Sequence, residues 1–120
     1  MELNVTSAHE QRRRFARKKL LATALVRTQK ETGGPVLHCG IVTDISMGGV
    51  SVVLYEYDPL LLGEGSTFTL DFTPRQSDHA FESSTCRCVW TQQHTYTLTL
   101  GAEFTQLSEE DRRAITMLFH

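Results

Sequence analysis

Three cysteines, three prolines and one tryptophan in 120 residues already exclude several classes of protein. An odd and sparse set of thiols is no framework for a disulfide-stapled secreted domain and suits a reducing cytoplasm. Long hydrophobic runs are missing too. The longest, Leu20 to Val26, is broken by Thr23 and falls far short of the roughly 20 residues a membrane helix needs, so no membrane insertion is expected. Residues 1–10 carry no basic stretch followed by an apolar one and do not read as a secretory signal. No tract of low complexity and no internal repeat appears. The chain is too short for a Rossmann domain with a substrate domain, or for a barrel of eight strands and eight helices. It is long enough for one domain with a single core.

Catalytic signatures are equally scarce. The sequence has no Gly-x-Ser-x-Gly, no Walker-type loop and no His-Glu-x-x-His, and the neighbouring Glu109 and Glu110 sit where they serve the first turn of a helix. No catalytic residue is assigned and an enzyme is not expected. His38, Cys39, His79, Cys86, Cys88 and His94 show none of the usual finger or ribbon spacings, so no metal site and no cofactor is expected either, and buried reduced thiols are the simpler reading.

Net charge is small, at −2, but its distribution is uneven. Six of the twelve basic residues lie within residues 11–19: Arg12, Arg13, Arg14, Arg17, Lys18 and Lys19. No acid interrupts them. The other 111 residues carry 6 basic against 14 acidic side chains. A nucleic-acid polymer needs an extended basic surface, which this chain does not supply. A small, doubly charged anion needs only a local cluster.

The pattern along the chain predicts mostly strands. Residues 1–10 are polar and aperiodic and are expected to form a mobile leader; residues 11–120 form the domain. Strands are expected over 20–28, 37–43, 49–55, 67–72, 83–91 and 95–104, from their β-branched and aromatic content and their period of two. Thr32-Gly33-Gly34-Pro35 marks a turn, and residues 44–49 are expected to be a short connector. In the last strand Tyr96, Leu98, Leu100, Ala102 and Phe104 are expected to share one face. The period then changes. Ser108 caps a helix over 108–119, with Asp111 able to return a capping-box bond, and Ala114, Ile115, Leu118 and Phe119 fall on one helical face. Six short strands and one helix predict a six-stranded antiparallel β-barrel with a C-terminal α-helix packed across it.

Two elements carry candidate chemistry. Arg13 and Arg17, flanked by Arg12 and Arg14, offer planar donor forks that match a phosphate, or the O6/N7 edge of guanine, with two parallel hydrogen bonds. Downstream lies Asp44-x-Ser46-x-x-Gly49. A carboxylate at Asp44 can accept from the N1–H and N2–H of guanine, the edge opposite the arginines. Ser46 can donate to a phosphate or hold a turn, and Gly49 permits close backbone approach or positive φ.

These residues resemble the PilZ domain family, the bacterial receptor module for cyclic di-GMP. Arg13-Arg14-Phe15-Ala16-Arg17 matches its Arg-x-x-x-Arg pattern, and Asp44-Ile45-Ser46-Met47-Gly48-Gly49 its Asp/Asn-x-Ser-x-x-Gly pattern. The likeness continues through Val89-Trp90, Gly101-Ala102-Glu103-Phe104 and residues 107–111. It implies a barrel that binds cyclic di-GMP on its outer surface, clasped by residues 11–19. Arg13 and Arg17 then contact phosphate and guanine, Asp44 and Ser46 face a guanine, and Gly48 and Gly49 shape the loop. Arg12 precedes the motif, at a position that in this family bears on whether one molecule or a stacked pair is bound; an arginine there is compatible with the pair. Trp90 matches a position where some members place an aromatic near the nucleotide.

Simpler readings stand beside these. A basic run is ordinarily a solvated arm, and Asp44-x-Ser46 is also a turn former. On an unbroken strand Trp90 shares parity with Cys86 and Cys88 and points with them into the core. The expected function is that of a receptor which signals to a partner protein by ligand-induced ordering of the arginine segment. A PilZ-like adaptor that ignores the nucleotide, and a small barrel that binds single-stranded nucleic acid through its basic arm, are the alternatives.

Overall fold

The computed structural model describes residues 16–119. Six strands follow in order: β1 (Arg17–Gln29), β2 (Pro35–Ser46), β3 (Gly49–Glu56), β4 (Thr67–Phe72), β5 (Phe81–Gln93) and β6 (Leu98–Gln106). A 3-10 turn (Pro59–Leu61) interrupts the β3–β4 connection, and α1 (Glu109–Leu118) ends the described chain. The strands close an antiparallel barrel in the order β1-β2-β3-β6-β5-β4, which removes most of the free edges that an open sheet leaves. Alternation builds the core: Leu20, Ala22, Ala24 and Val26 of β1 face inward, as do Val50, Val52 and Leu54 of β3 and Leu98, Leu100 and Ala102 of β6. The Phe72 and Phe81 rings stack at 4.5 Å, and Ile115 and Leu118 of α1 join the same core.

Several expectations are corrected. The last strand starts at Leu98, not Thr95, because the chain turns there: the His94 amide donates to the Thr97 carbonyl at 2.8 Å and Gln93 pairs with Leu98. Tyr96 therefore sits at the hairpin tip, 85% exposed, and not on the core face. Residues 44–46 are no connector; they finish β2, and the turn is Met47-Gly48 alone. The first strand starts at Arg17, three residues before the expected start at Leu20. The helix cap is half of a box. The Ser108 hydroxyl accepts from the Asp111 amide at 3.0 Å, but the Asp111 carboxylate turns away to His79 Nε2, 2.7 Å distant, and ties α1 to the β4–β5 loop. Of the three free cysteines, Cys86 and Cys88 are buried and Cys39 is half-buried. Burial pushes the Cys86 thiol up to about 12, so it stays protonated.

His38 is wholly buried on β2. Its Nδ1 accepts from the Asp58 amide at 3.1 Å, which leaves the ring proton on Nε2, 2.8 Å from Thr28 Oγ1. Desolvation lowers its pKa below the ordinary 6.5, with the Asp58 charge acting against that trend. Protonation would set a second N–H against the Asp58 amide. A base whose pKa is lowered by folding contributes its stability in full above the unfolded pKa, and that contribution is lost as pH falls toward the folded one. The midpoint of urea unfolding is expected to fall as pH drops from 7.5 to 5.5. H38Q keeps the Nε2 donor and should flatten that slope; equal slopes for both proteins would refute the assignment.

Candidate functional site

The register of the barrel aligns one row of residues across its outer wall. Lys19 of β1 lies opposite Asp44 of β2, and Asp44 opposite Ser51 of β3. Ser51 lies opposite Gly101 of β6, and Gly101 opposite Trp90 of β5. Two irregularities create the row. The β2–β3 register slips between Val42 and Asp44, so Val42 and Ile45 both face the core while Asp44 faces outward with Ser51. The β5–β6 register slips between Cys88 and Trp90. A bulge reverses the side-chain alternation beyond it. Trp90 thereby leaves the face of Cys86 and Cys88 and stands outside, partly exposed, opposite Gly101. The core reading of Trp90 is thus corrected by one extra residue in the strand.

Arg17 reaches into this row. Its Nη2 donates to Asp44 Oδ1 in an ion pair and to Ser51 Oγ at 3.1 Å. A guanidinium has five N–H groups. Both on Nη2 are used here, and among the described residues no acceptor engages Nε or Nη1. Asp44 and Ser51 therefore hold the fork by one nitrogen and leave its Nε–Nη1 edge without an acceptor among the described residues. Arg17 and Asp44 are each about a quarter exposed, which places the pair at the rim between protein and solvent. In the neighbouring row Arg87 Nε donates to Glu103 Oε1 at 2.9 Å, so that acid is already matched.

Ser46 is fully buried. Its Oγ accepts from the Gly48 and Gly49 amides, both at 3.1 Å, and holds the hairpin turn, which is the turn-forming role weighed above. Gly48 accepts from the Phe104 amide at 2.9 Å. Gly49 opens β3 under backbone contact: a Cβ on it would lie 2.0 Å from the Ala102 carbonyl oxygen. Of its two sequence readings, close approach is the one that applies, since its φ is not positive. Arg12, Arg13 and Arg14 lie outside the described residues. Ser51 and Gly101 went unassigned in the sequence, although Ser51 was within reach. A two-residue turn at 47–48 pairs 45 with 50 and 44 with 51, and Ser51 is the polar residue between Val50 and Val52.

Among the described residues, no three His, Cys, Asp or Glu side chains converge on a metal position, and no helix is long and apolar enough to cross a membrane. The row instead offers an oriented guanidinium, a carboxylate, a hydroxyl and an aromatic ring on one face. That set suits a flat, hydrogen-bonding anionic ligand.

Comparison with solved structures returns the same architecture. MotI/DgrA, the inhibitor of motility of Bacillus subtilis, superposes with a TM-score of 0.67 at 18% identity, covering 90% of this chain and 49% of that one. The PilZ domain of Escherichia coli YcgR with c-di-GMP gives 0.63 at 18%, covering 90% and 88%. The MrkH–c-di-GMP complex of K. pneumonia gives 0.67 at 17%, covering 91% and 51%. The chain thus spans about half the length of MotI and MrkH. At these identities the likeness concerns the fold. Comparison with curated protein sequences gives no match. The family model for the PilZ domain matches residues 11–120, nearly the whole chain, and the chain belongs to the PilZ domain family.

Proposed function

We propose that this protein is a receptor for cyclic di-GMP. The observation that carries the reading is Arg17, held by Asp44 and Ser51 through one nitrogen with its Nε–Nη1 edge unengaged among the described residues, on the wall that also bears Trp90. That edge fits a phosphate or the O6/N7 side of guanine. The Asp44 carboxylate has lone pairs beyond the one used by Arg17 and accepts from N1–H and N2–H of the same or a facing base. Trp90 supplies a π-face for stacking. Ser46, Gly48 and Gly49 act through the turn that fixes Asp44 and Ser51. The likeness to the YcgR and MrkH complexes with c-di-GMP supports the ligand; the PilZ match supports a receptor and not an enzyme.

Arg12, Arg13 and Arg14 complete the proposal from the N-terminal side. They close over the nucleotide, with Arg12 serving a second, stacked molecule, and this closure alters the surface shown to a partner protein. Ordering a segment lowers the apparent affinity by the free energy it takes. Calorimetric titration of the full chain tests the reading. Cyclic di-GMP is expected to bind with one or two molecules per chain, against at least tenfold weaker binding of cyclic di-AMP and of a single-stranded RNA at physiological salt. No heat with cyclic di-GMP at 100 µM, or equal affinity for the RNA, overturns it.

A further inference from the structure

β1 outlasts its neighbour. It pairs with β4 only over Ala24–Arg27, because β4 ends at Phe72 and Pro74 follows. Proline has no N–H to continue a ladder and restricts the residue before it. Pro74 is itself buried, and the chain turns there, with the Ser77 amide donating to the Pro74 carbonyl at 3.2 Å. Residues 17–19 and 22–23 of β1 pair with β2 on one side, with a bulge at Leu20 and Leu21 between them. On the other side, among the described residues, no strand pairs with them. The barrel is closed in the middle of β1 and open along its first half.

The opening is a lined groove. A cavity of about 640 Å³ runs beside Leu21 and Thr23, with Phe72 and Phe81 among its walls, and is bounded by Arg75 of the β4–β5 loop. A second, of about 500 Å³, continues it past Leu21 and Arg75 to Lys19 and Thr43. Leu21 is 65% exposed, an uncommon exposure for a leucine beside a free strand edge. Among the described residues neither Lys19 nor Arg75 makes an ion pair. The acid on the far side, Asp71, is engaged by Arg27 at 3.6 Å and by the Ser83 amide at 2.6 Å.

We infer that this edge is a docking site for an extended segment of a partner protein, which adds to β1 as a strand beside residues 18–23. The free ladder selects an extended backbone, since unpaired N–H and C=O groups in a row template a strand and nothing else. Six residues of edge span roughly 20 Å. Alternate side chains of the segment meet two surroundings. Those facing inward meet the apolar side of the cavity, walled by Ala22, Phe72 and Phe81, and are apolar; those facing outward run beside Leu21 and are small or polar. The two unpaired cations at the Lys19 end select a carboxylate there. The occupant is therefore an extended segment with alternating apolar residues and an acid at one end. The inference does not depend on nucleotide binding, although Arg17 of the proposed clasp begins the same strand.

The probe is a blocked hexapeptide, acetyl-Glu-Val-Thr-Val-Thr-Val-amide, titrated into the ¹⁵N-labelled full chain. Amide shifts are expected to cluster at residues 18–23 and 73–76, with hydrogen exchange at the free-edge amides of 18–23 slowed at least tenfold at saturation. Two N-methylated forms of the peptide discriminate the mechanism. Methylation of the valine amides blocks one peptide edge and methylation of the others blocks the opposite edge, so one form should lose binding and the other keep it. R75E, a change on an exposed loop, should weaken the peptide about tenfold and restore the affinity of a version with lysine in place of glutamate. Shifts elsewhere, no shifts up to 2 mM, equal binding of the two methylated forms, or no charge preference in R75E each overturn the proposal.

Discussion

R17A is expected to lower the affinity for cyclic di-GMP by about 100-fold or more while the barrel stays folded. Truncating one member of a desolvated, charge-assisted contact typically costs about 2–5 kcal/mol, and roughly 3 kcal/mol corresponds to that loss. The fold does not depend on this side chain, because Arg17 is at the rim and its loss leaves Asp44 in reach of water. D44A is expected to behave differently. Removing the carboxylate deletes the acceptor proposed for N1–H and N2–H, but it also releases Arg17 from its ion pair and raises the local positive charge. Affinity should fall less than in R17A, and the preference over cyclic di-AMP should disappear, since adenine lacks both donors. Parallel calorimetric titrations of both nucleotides check this. Unchanged affinity in R17A, or unchanged selectivity in D44A, would show that the pair serves the barrel wall and not a ligand.

Most of the barrel was legible because burial on one face of a strand imposes a period of two. The errors fall where local geometry broke that period without leaving a compositional mark. His94-Thr95-Tyr96-Thr97 turns the chain with neither glycine nor proline, so the alternation ran through it unbroken and placed Tyr96 in the core. The slip between Cys88 and Trp90 inserts a residue that no side chain announces, and it carried the tryptophan from the inside to the wall. Asp44 was recognised through its spacing to Gly49, yet its partner Ser51 was not, because pairing is a property of the turn and not of either strand. The short β4 is the reverse case. Pro74 ends β4 visibly in the sequence, but its consequence for β1, a strand of 13 residues with a partner of six, belongs to the register. Side chains with strong chemistry show in a sequence; the row that brings them together belongs to the ladder.

The second large effect concerns Gly49. Its Cβ would stand 2.0 Å from the Ala102 carbonyl oxygen and 3.0 Å from the Ala102 carbon and Glu103 Cα, so the obstacle is backbone of the paired strand and no rotamer relieves it. G49A must push β3 from β6 at the start of their ladder, where Gly49 pairs with Glu103. Overpacking of this kind costs typically 1–3 kcal/mol; with backbone as the obstacle the upper end applies, about 3 kcal/mol, or a fall in melting temperature of roughly 10–15 °C. Gly40 provides the control. Its Cβ would meet the Val53 carbonyl oxygen, also at 2.0 Å, but on the β2–β3 ladder away from the row, where Gly40 pairs with Leu54. G40A should cost similar stability. Gly63 has open space around it and no positive φ, and G63A should be neutral within about 0.5 kcal/mol. At a temperature where all three variants are folded, binding separates them. Moving the first residues of β3 displaces Ser51 from Arg17 and from the Gly101–Trp90 side of the row, so G49A should lose cyclic di-GMP affinity while G40A and G63A retain it. Equal retention by G49A and G40A would reduce Gly49 to a packing residue and detach the hairpin motif from the ligand.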